Sequence, residues 1–78
     1  MGRHLSKRSL TLSGHATSIA LEPEFLKALD AIAAAEHRRF AELVAEVDAA
    51  RDAGTPLASA LRVHALRHAP RRSGEGGQ

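Results

Sequence analysis

The chain contains no cysteine, tryptophan or tyrosine, and Phe25 and Phe40 are its only aromatic rings. Without cysteine there is no disulfide framework, thiolate zinc site or thiol nucleophile, and nothing about the redox compartment follows from cysteine usage. No apolar run approaches the roughly 18 to 20 residues that a membrane-spanning helix needs, and the first residues lack the apolar stretch of a secretory signal. The expectation is a soluble, cytoplasmic protein. At 78 residues there is room for one small domain, which excludes a multidomain enzyme. Alanine and aliphatic side chains make up most of the 44% hydrophobic fraction, so the core is thin. Chains of this size often gain the missing stability by oligomerising, and a homodimer is expected.

The net charge of +2 conceals a pattern. Residues 1–15 carry Arg3, Lys7 and Arg8 and no acid, whereas residues 16–36 sum to −3 and residues 37–53 to −1. Residues 54–78 return to +3 through Arg62, Arg67, Arg71 and Arg72 against Glu75. A polyanion would meet the basic ends rather than the acidic middle, although basic ends also serve solubility alone.

Residues 1–6 read as a flexible N-terminus and residues 70–78, from Pro70 onward, as a disordered basic tail. Between them lies one domain over residues 7–69. From Ser9 to Leu21 apolar residues alternate with period two, Leu10 and Leu12 before Gly14, then Thr17, Ile19 and Leu21 with the opposite parity. A hairpin whose loop is Gly14-His15 explains the switch, with Leu12 opposite Thr17 and Leu10 opposite Ile19. A bulge at Gly14 in one longer strand would shift parity equally well. Ser9, Thr11, Ser13, Ala16, Ser18 and Ala20 then occupy the other, small and polar face.

Glu22-Pro23-Glu24 is a helix start, with proline at the first helical position and carboxylates at the positive end of the dipole. Phe25, Leu29, Ile32 and Ala33, with Leu26 beside them, line one face as far as Glu36. Spacing alone would also suit one helix continuing through Phe40, Leu43 and Val47. The charged Glu36 and the cluster His37-Arg38-Arg39 interrupt the stripe and favour a break. A second helix over about 40–53 buries Leu43, Val44 and Val47 and stops at Gly54. Thr55 caps a third helix, Pro56 opens it, and Leu57, Ala60, Leu61 and His64 share its apolar face up to Pro70. The fold class is mainly α with a short N-terminal β segment.

This order resembles the ribbon-helix-helix family of DNA-binding proteins. The string KRSLTLSGHATSIALEPEFLKALDAIAAAE, followed by FAELVAEVDAARDAG and LASALRVHALRHA, is similar to a bacterial subfamily of small ribbon-helix-helix proteins. The resemblance covers residues 7–69. It implies a ribbon-helix-helix domain with an added C-terminal helix, in an intertwined homodimer whose two chains each contribute a strand to an antiparallel ribbon in the major groove. It implies transcription regulation, with duplex DNA as partner. Carried onto this chain, Ile19 and Leu21 match inward strand positions, and Thr11, Ala16, Ser18 and Ala20 become the outward, base-facing ones. Alanine offers no hydrogen bond to a base, so affinity would lean on phosphate contacts by Lys7, Arg8, Arg38 and Arg39. At the second helix start, Arg38-Arg39 stands where a hydroxyl cap is familiar.

Other chemistry finds less support. His64 and His68 have metal-ligand spacing on a helix, but no nearby carboxylate or cysteine completes a set, so no metal is expected. No nucleophile elbow, phosphate loop or paired-carboxylate motif occurs, so neither enzymatic activity nor a cofactor or small-molecule substrate is expected. Neither basic end has the apolar face of an interfacial helix, which argues against a membrane role. The rival reading is a small oligomeric protein-interaction module that keeps the fold without base-specific readout.

Overall fold

The computed structural model describes residues 4–69. Of the two ends expected to lack fixed shape, 1–6 and 70–78, residues 1–3 and 70–78 lie outside the described ones, whereas Ser6 opens a strand, pairs with Leu21 and is half-buried. Strands β1 (Ser6–Leu12) and β2 (His15–Leu21) form a two-stranded antiparallel sheet, followed by α1 (Pro23–Ala35), α2 (Phe40–Ala50) and α3 (Leu57–His68).

The β segment is a hairpin, and its two-residue loop is Ser13-Gly14, one position earlier than the sequence reading put it. Ser13 (φ 50°) and Gly14 (φ 80°) are both left-handed, the signature of a type I′ turn with glycine second rather than a type II′ turn with glycine first. Consequently Leu12 faces His15, Leu10 faces Thr17 and Arg8 faces Ile19. This register differs by two residues from the expected one, so pairs change while each side chain keeps its face. Ile19 finds its ladder partner, Arg8, within its own chain.

Helix α1 begins with proline in its first turn and Glu24 beside it. Its end is set by His37, which is left-handed at φ 58°. The His37 N–H donates to the Ala34 carbonyl at 3.1 Å and the Arg38 N–H to that of Ala33 at 2.9 Å. That pair of bonds is a Schellman motif, the usual helix stop, built here without glycine. The break between α1 and α2 is therefore a backbone device rather than only an interruption of the apolar stripe. Helix α2 stops at Ala50, earlier than residue 53, because Arg51 folds back. Its Nε donates to Asp48 Oδ1 at 2.7 Å and a terminal nitrogen to the Thr55 carbonyl at 2.7 Å, closing the loop to α3. Pro56 is the residue before α3 rather than its first helical one.

The core joins Ile19 and Leu21 of the hairpin to Leu26, Leu29, Ile32 and Ala33 of α1, Leu43, Val44 and Val47 of α2, and Leu61 and Ala65 of α3. Helix α3 packs on both other helices, and β1 touches α2. Each of the fully buried leucines and valines contributes about 1.5 to 3 kcal/mol. Among the described residues no polar or charged residue is wholly buried. Both phenylalanines sit at the core's margin under an arginine: Arg8 lies 4.5 Å from the Phe40 ring centre and Arg62 lies 5.9 Å from that of Phe25. Each guanidinium covers a half-exposed ring and keeps its charge at the surface.

Candidate nucleic-acid interface

One face of the hairpin lies on the helices and the other is open. The open face consists of three cross-strand pairs, Lys7 with Ala20, Ser9 with Ser18 and Thr11 with Ala16. All six are exposed except Ala20, which is half-buried. Strands about 4.8 Å apart give a ribbon that fits a major groove about 12 Å wide. The short side chains leave the backbone free to approach a surface closely. Ser9 belongs to this face as much as the positions inferred from resemblance, and its parity in the sequence already assigned it there.

The four basic residues divide into two kinds. Lys7 points outward from β1, and Arg39 is exposed immediately before α2; neither has an ion-pair partner among the described residues. Arg8 has even parity and therefore lies on the inner face, where it grips Asp30 of α1 through two hydrogen bonds of 2.7 and 3.2 Å. Arg38 is held between two carboxylates, with Nε donating to Glu36 at 3.0 Å and a terminal nitrogen donating to Glu46. The hydrogen bonds it donates to Glu36 and Glu46 raise its pKa further, so it stays a cation already matched by anions. Arg8 and Arg38 thus brace the fold, leaving Lys7 and Arg39 as the unmatched positive charges of this set.

A hairpin with an open polar face, preceding three helices that pack against its other side, is the pattern to which the family comparison adds its match. A model of the ribbon-helix-helix domain matches residues 5–69. The chain belongs to that family. No curated protein and no solved structure matches it. Ribbon-helix-helix domains typically bind DNA and regulate transcription.

In this ribbon-helix-helix domain the amino end of α2 is capped in only one direction. Glu42 Oε1 accepts the Arg39 backbone N–H at 2.9 Å, half of a capping box, while the Arg39 guanidinium has no acceptor to return. An acid thus occupies the first turn, with an exposed cation just ahead of it. No helix among the described residues is long and apolar enough to cross a membrane.

The two histidines of α3 meet, as i,i+4 spacing requires, with ring centres 4.3 Å apart beside a groove between α2 and α3 of about 350 Å³. His64 Nε2 is buried without a hydrogen-bond partner among the described residues. Burial pushes the His64 pKa below its ordinary 6.5, and His68 and Arg38 push it the same way against the opposing pull of Glu36 and Glu46. His64 is therefore a neutral packing residue of this domain. Among the described residues no three metal-binding side chains converge.

Proposed function

We propose that the protein is a cytoplasmic, bacterial transcription regulator that binds duplex DNA as a homodimer, laying the open face of its β1–β2 hairpin in the major groove. The observation that carries this reading is the ribbon itself: two strands of one chain whose outward side chains are all short apart from Lys7, in a chain of the ribbon-helix-helix family. A two-stranded ribbon from each protomer enters its own stretch of groove, so no four-stranded sheet has to fit one groove. Lys7 and Arg39 supply phosphate contacts, and Thr11, Ala16, Ser18 and Ala20 meet base edges. Arg8 and Arg38 serve from behind, by fixing β1 against α1 and the α1–α2 turn against α2. The thin core and the exposure of Leu66 (74%) and Val63 (46%) on α3 support assembly of two chains.

Fluorescence anisotropy on a duplex of arbitrary sequence in low salt tests the reading. Binding whose logarithm falls linearly with the logarithm of salt concentration is expected. The double change Lys7→Glu and Arg39→Glu should remove most of the affinity. Absence of binding at micromolar protein, or binding indifferent to salt, overturns it. The rival reading, a protein-interaction module, draws support from the same Val63–Leu66 surface and from the neutralisation of Arg8 and Arg38. Such a module would keep its protein partner when Lys7 and Arg39 are reversed.

A further inference from the structure

We propose that the hairpin selects thymine-bearing base pairs by methyl contact, through Ala16, Ala20 and the methyl of Thr11, rather than by hydrogen bonds to base edges. The inference rests on the DNA-binding reading above. Strong hydrogen-bonded readout in the major groove uses arginine or lysine for guanine and asparagine or glutamine for adenine. Of these the open face of this hairpin carries only Lys7, at its end; the rest are Ser9, Thr11, Ala16, Ser18 and Ala20. What it offers instead is methyl groups on a backbone that short side chains allow to come close. The C5 methyl of thymine is the apolar group that the groove presents to match them.

The arrangement gives the contacts an order. Ala16 and Thr11 are cross-strand partners near the turn, Ala20 lies at the far end beside Lys7, and the Ser9–Ser18 pair lies between. Serine hydroxyls both donate and accept, so the middle tolerates any base pair. Residues four apart on a strand are separated by about 13 Å, close to four base-pair rises of about 3.4 Å. The preferred site therefore has two thymine-bearing steps about four base pairs apart with an undemanding centre. Lys7, the one long side chain on the face, could instead favour guanine, and that competing preference is measurable.

The test titrates the full chain by anisotropy against four duplexes of equal length in one low-salt buffer. One is rich in A·T pairs, and the second has deoxyuridine in place of every thymidine, which removes only the C5 methyl. The third is G·C-rich, and the fourth is the same duplex with 5-methylcytosine. Affinity should fall about fourfold per lost contact on the uridine duplex, about fifteenfold for the two thymine-bearing steps together, and rise by a similar factor on methylation of the G·C duplex. In the Ala16→Ser, Ala20→Ser double variant, shown folded by circular dichroism, affinity for the thymine duplex should drop most of the way to that for the uridine duplex, the remainder being the Thr11 methyl. Equal affinity for thymine and uridine duplexes, or a preference for unmethylated G·C, overturns methyl selection while leaving DNA binding in place. No binding to any of the four overturns the DNA reading itself.

Discussion

Arg8 of β1 forks onto Asp30 of α1, its two donors lying 2.7 and 3.2 Å from the two carboxylate oxygens. The same guanidinium lies over the Phe40 ring of α2, so one side chain ties a strand to two helices.

Both members of that pair are more than a third exposed, and exposed pairs of this kind contribute less than about 1 kcal/mol. Asp30→Asn should therefore lower the melting temperature by only a few degrees. It should also release a cation beside the hairpin and steepen the salt dependence of DNA binding by about one unit per chain. Arg8→Ala should cost more, about 1 to 2 kcal/mol, because it uncovers Phe40 as well. Urea titrations of the two variants check the order.

The Ser13-Gly14 turn has room but not conformational freedom: a side chain at Gly14 would meet nothing within 4 Å, yet its φ is 80°. Gly14→Ala should cost about 1 kcal/mol from the backbone alone. Ser13→Asn, which places the favoured Asn-Gly pair in a type I′ loop, should stabilise by about 0.5 kcal/mol. Thermal melts read both, at roughly 4 to 8 °C per kcal/mol for a domain of this size.

The left-handed residue ending α1 is His37 where glycine is the common choice. His37→Gly should raise stability by about 0.5 kcal/mol, the relief of strain being partly offset by the greater freedom of glycine in the unfolded chain. A rise in melting temperature checks it, and a fall would mean that the imidazole has a packing role.

His64 makes stability depend on pH. Its pKa is lower folded than unfolded, so near and below pH 6.5 the unfolded chain binds more protons, and stability falls as pH drops through that range. Charging the ring would place a cation at a buried nitrogen near Arg38 and His68, with Glu36 and Glu46 compensating only in part. His64→Leu should remove this slope and, by replacing an unpartnered acceptor with a methyl-bearing side chain, stabilise by about 1 kcal/mol at neutral pH. Chemical denaturation of both proteins at pH 7.5 and 5.5 measures the difference.

Strand parity, the Glu22-Pro23 helix start and the apolar stripes of α1 and α2 were legible because each is a periodic signal carried by several residues at once. The turn was misplaced by one position because a single glycine suits either loop, and only the ladder distinguishes them. The Schellman stop at His37 was hidden because any non-glycine residue in the left-handed region gives no compositional hint. The greatest loss was in the charges. Lys7 and Arg8 are neighbours in sequence and equal in sign, yet parity sends one outward and the other to Asp30. Arg38 and Arg39 divide in the same way across the end of the turn.

Because both strands of the hairpin come from a single polypeptide, its outward face is inherited whole. Thr11 and Ala16, separated in the unfolded chain but cross-strand partners in the folded one, therefore present their substitutions side by side whenever both are carried by the same gene copy.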